Sequence, residues 1–560
     1  MDEIAVCPTG GAAQASLAAA MAAAPAGAAL ELCAGTFSEA LTVTGKVLYI
    51  RGAGAGATIL QAPASSTALT ISGVSGAGVV LDGVTVSGGT TEAQGGGIRC
   101  EGSRLKLFGV TISGNHATNG GGGLYATSCE LGIADSTFDT NSGGPEGGGV
   151  LAVSSTTVVT GSTFKGNSSV HGAGLAIEEG WLYASQSTFR GNHAELQGAG
   201  LFLIADGMVD GNTFDTNDSG WTGGGVYISG HQITFQNNTV SANTSVNDGG
   251  GIYVDQSPVQ MLANHFAGNT SGDDGGGVRV FESAAHLERN LVEGNHAVDG
   301  GGGIRVSHVQ AVLVDNIVRN NTSGGDGAGM DLDNDASIVR GGEITGNVSQ
   351  INGGGIHADL YPWAGAVLEN IKISGNQAMQ GGGIAIEGNL QPVAMRGLVI
   401  DGNQAQVGGA MTVTDSEFSL SNSRITNNVT TQGAAGLYLT GATATVTFST
   451  FANNMAAGQG SALWIESSTV SVSDCILTGN NAVVVVGSGA LPQWTYNDTF
   501  PAKFAGMGDP TGHDGNISAD PLLVLPDLTL AANSPARDAG DPALRDADGT
   551  AADMGATGGP

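Results

Sequence analysis

A glycine-rich tetrapeptide ending in an aliphatic residue returns about every 26 positions through most of this chain. It reads GGGI at Gly95 to Ile98. Later copies end at Leu124, Val150, Leu175, Leu201, Val226, Ile252, Val278, Ile304, Met330, Ile356 and Ile384. Degraded copies end at Met411, Leu437 and Leu463. Self-similarity at one period means one supersecondary unit stacked many times. A stack of this kind has no closed core pocket and works through its long sides and its ends.

Each repeat carries short alternating runs. In Gly249 to Asp274, Ile252 and Val254 face one way and Tyr253 and Asp255 the other. Val259 with Met261 marks a second strand and Phe266 a third. Three strands and three turns in about 26 residues describe one turn of a parallel β-helix, with turns stacked ~4.8 Å apart. The fold expected is therefore an all-β parallel solenoid. Ala12 to Ala24 is expected to form a short capping helix. The segments expected are 1–45 for the cap and first strand, 46–488 for the β-helix, and 489–560 for a C-terminal capping segment and acidic tail.

A second marker is an asparagine that follows a hydrophobic residue by three. It runs from Asn115 through Asn141, Asn167, Asn243 and Asn269 to Asn480. Stacked asparagines can form a hydrogen-bonded ladder, and asparagine tolerates the left-handed backbone of a sharp turn. Five residues earlier runs another column: Ser136, Ser162, Ser187, Asn212, Asn238, Asn264, Asn290 and Asn316. Several asparagines of the first column sit in N-x-S/T sequons, and the structural reading is preferred because the position recurs with the turn. The glycine triplet is expected where a side chain would collide with the turns above and below.

Charge narrows the partners. Lysine and arginine total 18 against 50 acidic residues, a net charge of -32. That balance argues against nucleic acid and anionic membrane surfaces. Only 12% of residues are charged, so Ser, Thr, Asn, Gln and Gly must cover much of the exterior. Of five cysteines, Cys7 and Cys33 could pair. Cys100 and Cys129 lie one repeat plus three residues apart, so a bridge there needs a local irregularity. Cys475 stands alone. The Ala-rich start follows Asp2 and Glu3 and does not read as a signal peptide; if the protein is exported, its signal has been removed or lies outside this sequence. No membrane span is expected.

The N-terminal segments LELCAGTFSEALTV and VLYIRGAGAGATIL resemble the start of pectin-lyase-like right-handed β-helix proteins. The repeats resemble the polymorphic outer-membrane protein family, whose motifs are GGA[ILV] and FxxN. Here these appear as GGGI and as FKGN at Phe164 to Asn167, FRGN at Phe189 to Asn192 and FANN at Phe451 to Asn454. The resemblance covers roughly residues 95–480. No alternating barrel strands follow Val486, as they do in that family. The tail DPLLVLPDLTLAANSPARDAGDP looks like the closing segment of bacterial surface β-helix proteins. The resemblance implies an extracellular or cell-surface protein acting as scaffold or adhesin.

By strand alternation, the residue after each glycine-aliphatic unit is expected to point outward. That row includes Phe202, Tyr227, Tyr253, Arg279, Arg305, Asp331 and His357. A second outward row includes Asp333, Asp359 and Glu387. The repeat lengthens near Tyr361 and Trp363, where an aromatic lip is expected. Carboxylates beside aromatic rings suit a polysaccharide, so Tyr227, Tyr253, Arg279, Arg305, Asp331, His357, Tyr361 and Trp363 are expected to bind ligand. Asp333, Asp359 and Glu387, with Arg305 as base, are candidates for a polysaccharide lyase or glycoside hydrolase. This alternative ranks behind the scaffold. Stacked carboxylates repel, so a pKa rises or a cation such as Ca2+ binds. The candidate ligands are Asp331, Asp333 and Asp359, with a second group at Asp546, Asp548 and Asp553. A monomer is expected, and end-to-end filaments are the alternative because β-helix ends are strand edges.

Overall fold

The computed structural model describes residues 3–7, 16–308, 310–333, 336–359, 365–388, 391–457, 462–481 and 483–559. The chain forms two compact units, Met1–Gly272 and Asp273–Pro560. In each, successive turns of a solenoid stack through parallel strand pairs.

One turn of the first unit shows the construction. Strands Ile252–Asp255, Val259–Leu262, His265–Ala267 and Thr270–Ser271 follow one another. Each lies in parallel register on its counterpart one turn earlier, as in Tyr227 on Tyr253, Phe235 on Met261, Val240 on Phe266 and Ser245 on Ser271. Corners fall at Gly249, Gln256, Ala263 and Gly268, all with left-handed φ between 47° and 64°. The expected three strands are thus four, the last only two residues long. Inward positions Ile252, Val254, Met261, Phe266 and Ser271 are fully buried.

Equal positions stack into columns. Phe138, Phe164, Phe189 and Phe214 form a run of nearly parallel rings with centroids 4.7 to 4.9 Å apart. The asparagines form the expected ladder. Asn217 donates its backbone N–H and Nδ2 to Asn243 Oδ1, both at 2.9 Å, and Asn243 does the same to Asn269 at 3.0 Å. In the second unit Asn321 donates likewise to Asn347, and Asn347 to Asn376. The second column is also present, with Ser136 N–H on Ser162 Oγ at 3.1 Å and Asn212 Nδ2 on Asn238 Oδ1 at 3.2 Å. The ladder asparagine is not itself the left-handed residue. That role falls to the residue before it, such as Thr216, Ala242 or Gly268. The asparagine instead satisfies buried backbone groups that the corner frees, as Asn243 Nδ2 does for the Phe214 carbonyl at 3.0 Å.

The glycines behave as expected from close stacking. A Cβ on Gly97 would lie 2.5 Å from the Gly123 carbonyl oxygen, and one on Gly303 would lie 2.6 Å from that of Gly329.

The helix covers Leu17–Ala23 and buries Leu17 and Met21. Residues 12–15 of the expected helix lie outside the described residues. Ser16 caps its N-terminus, and Glu39 accepts the Leu17 and Ala18 N–H groups at 3.0 Å each. Lys46 Nζ donates to the Met21 and Ala24 carbonyls at the other end, at 2.6 and 2.9 Å. Opposite charges thus meet the two ends of the helix dipole. Cys7 and Cys33 are joined in a disulfide.

The stacked strands continue past residue 488, through Gln493–Thr495, Asp498–Phe500 and Phe504–Ala505. The tail then returns along the side of the solenoid, where Ala536 and Met554 pack on Ile476. Among the described residues, no helix is long and apolar enough to cross a membrane.

Candidate functional site

Strands Val278–Phe281, Ile304–Ser307, Met330–Asp333, Ile356–Asp359 and Ile384–Glu387 lie side by side in the second unit. Their register stacks Arg279 on Arg305, Arg305 on Asp331, and Asp331 on His357. Asp333, Asp359 and Glu387 align in the neighbouring row.

This row does not face open solvent. Asp331 is 2% exposed, Arg279 6% and His357 7%. In the first unit Tyr227 is likewise buried and Tyr253 half-buried. The residues do lie on the side of the strand opposite the core, but the glycine corner folds the preceding segment against them. Gly301 and Gly327 have left-handed φ of 65° and 54°. A Cβ on Gly301 would lie 2.5 Å from the Arg305 Cβ, and one on Gly327 would lie 2.7 Å from that of Asp331. The first glycine of each triplet is therefore required by its own strand as well as by its neighbours. Alternation correctly separates the two faces of the strand but misjudges the depth of the outer one.

Closing the corner brings the pre-glycine residues Asp274, Asp326 and Asn352 into the site. The sequence reading missed them, although an Asp or Asn directly before the first glycine of the motif marks their position. Arg305 Nη1 meets Asp274 Oδ1 at 2.6 Å and Asp331 Oδ2 at 3.1 Å, and Nη2 meets Asp333 Oδ2 at 2.9 Å. His357 Nδ1 bonds to Asp331 Oδ1 at 2.8 Å. Arg279 Nη1 donates to Ser307 Oγ at 2.7 Å. Arg305 is thus clamped as a cation and is unsuited to the role of base. Of the stacked carboxylates, Asp331 and Asp333 meet Arg305, and Asp331 also meets His357.

The charges set one another's protonation. Burial would raise the Asp331 carboxyl, but the His357 hydrogen bond and the cations His357, Arg305 and Arg279 outweigh it and hold it below the usual range. Burial would lower His357, but Asp331 raises it to about 9, so it is an imidazolium at neutral pH. Glu387 is raised by burial and by Asp326 and Asp359, against the pull of His357. Asp326 is raised chiefly by burial. Around the buried pair, Asp326, Asp359 and Glu387 are half-buried and reach solvent. Arg279 Nε and Asn352 Oδ1 are buried without a hydrogen-bond partner among the described residues.

The first unit carries a smaller counterpart, also missed. Glu146, His171 and Glu178 meet in the same corner beside Phe202, whose ring lies 5.2 Å from that of His171. Burial and then Glu146 raise Glu178 to about 7. Phe202, Tyr227 and Tyr253 stack at 5.2 and 5.7 Å, and Tyr227 Oη donates to Asp255 Oδ2 at 3.3 Å.

Tyr361 and Trp363 lie outside the described residues. Asp546 and Asp548 flank an exposed turn, and half-buried Asp553 lies near enough to act on Asp546 electrostatically. Thr550 donates to Asp548 Oδ1 from N and Oγ1 at 2.9 and 2.7 Å, and Asp553 Oδ1 accepts the Asp538 N–H at 2.7 Å.

Comparison with curated proteins found no match. Among solved structures, the chain is similar to a PL6-family alginate lyase at 13% identity, over 93% of this chain and 98% of that one, with a TM-score of 0.32. It is similar to a mannuronic-acid-specific polysaccharide family 6 lyase from human gut microbiota at 10% identity, over 94% and 92%, with a TM-score of 0.15. The catalytic unit of a GH87 α-1,3-glucanase from Streptomyces thermodiastaticus strain HF3-3 matches at 11% identity, over 90% and 68%, with a TM-score of 0.13. None of these three likenesses bears on the chemistry of this chain. The family profile described as the right-handed β-helix region matches residues 64–240, 208–361 and 360–498. The chain therefore belongs to the right-handed β-helix family.

Proposed function

We propose that this protein is an extracellular or surface-displayed β-helix that binds a hydroxyl-rich glycan at the corner lined by Asp326, His357, Asp359 and Glu387. The observation that carries the reading is the buried Asp331–His357 pair braced by Arg305. It fixes one imidazolium among half-exposed carboxyl groups, so donors and acceptors are in place before a ligand arrives. Carboxylates outnumber cations in this corner, which favours neutral sugars over polyuronates unless calcium bridges the charge.

The test is calorimetry with neutral and uronic oligosaccharides, each with and without calcium. Micromolar to millimolar binding of a neutral glycan is expected, weakened at least tenfold by Glu387→Gln combined with Asp359→Asn. Absence of binding to any glycan, or binding untouched by that double variant, would sink the reading.

The Asp331–His357 bond also favours a second reading, in which the same corner cleaves its glycan. Asp331 would hold the imidazolium while His357 passes a proton to a leaving oxygen. Release of reducing ends or unsaturated sugars, abolished by His357→Gln, would distinguish cleavage from binding.

A further inference from the structure

Two columns of the first unit meet at one unusual point. Cys100 occupies an inward core position, in register with Ile71 on one side and Ala126 on the other, and beyond them with Ala152 and Ile177. Cys129 occupies a different column, at the corner after the strand. Its counterparts one turn away are Ser103 and Ser155. Each serine turns its hydroxyl back to its own strand, Ser103 Oγ donating to the Glu101 carbonyl at 2.7 Å and Ser155 Oγ to that of Val153 at 2.8 Å. Cys129 keeps the column's backbone bond, donating its N–H to Ser155 Oγ at 3.0 Å. The repeat thus supplies its own control: this corner position works with a hydroxyl, and the core position works with an alkyl group. Only here do both positions hold a thiol.

The spacing of 29 residues exceeds the repeat by three, and the corner supplies what that excess requires. Ser128 has a left-handed φ of 52° and turns Cys129 toward the preceding turn. The two Sγ atoms lie 2.6 Å apart, inside the non-bonded contact distance of two sulfur atoms. A bond length of ~2.05 Å is reached by a shift of about half an ångström. Cys100 is fully buried and Cys129 is 4% exposed. The same unit already holds the Cys7–Cys33 disulfide.

We propose that Cys100 and Cys129 are the site of a second disulfide, a covalent staple between consecutive turns of the solenoid that leaves Cys475 as the single thiol. The oxidant is a disulfide of the thiol–disulfide exchange class, such as glutathione disulfide. The Cys129 thiolate attacks one oxidant sulfur, forms a mixed disulfide and releases the first thiolate. The Cys100 thiolate then attacks Cys129 Sγ and expels the second. Two protons leave the cysteines, two electrons pass to the oxidant, and its disulfide is reduced to two thiols. Because both sulfurs are buried once the turns close, the exchange takes place while these turns assemble.

The test is thiol counting on the full chain after refolding in a glutathione redox buffer. The protein is unfolded in guanidinium with excess iodoacetamide and weighed, then digested without reduction. One carbamidomethyl group, on Cys475, is expected, together with a peptide pair joined through Cys100 and Cys129. Three carbamidomethyl groups in a sample whose Cys7–Cys33 bond has formed would overturn the proposal, since that bond reports that the buffer was oxidising enough. Cys129→Ser restores the residue that the column uses elsewhere and is expected to fold. It should show two alkylated cysteines and a Tm several degrees below the oxidised wild type, matching wild type whose Cys100 and Cys129 are reduced. A Tm equal to that of the oxidised protein would show that the bond does not act as a staple between the turns.

Discussion

The carboxylate of Asp331 is shared between two cations: Oδ1 bonds to His357 Nδ1 at 2.8 Å, and Oδ2 lies 3.1 Å from Arg305 Nη1. With Asp331 2% exposed and His357 7% exposed, this pair ties stability to pH. The His357 pKa is raised from 6.5 to about 9 on folding. Its stabilisation is therefore fully present below pH 6.5 and is lost as pH rises through 9. A shift of that size corresponds to about 3 kcal/mol. Asp331 is lowered, so its contribution is present above pH 3.8 and is lost on further acidification. Thermal melts between pH 6 and 10 should show a falling Tm for the wild type and a flatter profile for His357→Gln. Parallel profiles would disprove the coupling.

Arg305 answers three carboxylates at once, those of Asp274, Asp331 and Asp333. Arg305→Met should destabilise the protein by about 3–5 kcal/mol, because it strands buried charge rather than merely deleting a contact. Adding Asp331→Asn to that variant should restore part of the loss, a non-additivity expected of groups in one network. Urea unfolding monitored by tryptophan fluorescence measures both.

The asparagine ladder bonds each turn of the wall to the next. Asn243 is fully buried and its Oδ1 receives both donors of Asn217. Asn243→Ala leaves these donors and the Phe214 carbonyl unmet, at a loss of about 2–4 kcal/mol. The same burial closes its N-T-S sequon to modification. Peptide mapping after expression in a glycosylating host should find Asn243 bare, and an attached glycan there would contradict the ladder.

Asp498 is fully buried, accepts one bond from the Ala519 N–H at 3.1 Å, and leaves Oδ2 without a partner among the described residues. Burial raises its pKa from 3.8 to about 6. The folded state therefore binds the proton more tightly, and stability falls as pH rises from 3.8 to 6 and stays lower above. Asp498→Asn keeps the acceptor and removes the charge, so it should stabilise the protein at pH 7 by roughly 2–3 kcal/mol. That advantage should shrink below pH 6 and vanish below 3.8. An equal gain at pH 3.5 and pH 7 would show that charge is not its source.

The sequence alone determined the solenoid, its period and its columns. Parallel stacking in register turns every sequence repeat into a spatial neighbour, which is why Asn217 and Asn243, or Asp331 and His357, could be paired on paper. The same logic put Arg305 and Asp331 on the side of the strand away from the core. Tertiary structure decided how deep that other side lies. Alternation reports which face of a strand a residue occupies, while burial depends on the angle at which the next segment leaves the corner. That angle is set by left-handed residues such as Gly301 and Gly327. The corner closed over Arg279, Asp331 and His357, and it set Asp274 on Arg305, Asp326 beside His357 and Glu146 beside Glu178. The meeting of Cys100 with Cys129 has the same origin, since the corner after the strand, left-handed at Gly102, Ser128 and Ser154 alike, sets its next residue beside the core column of the turn before.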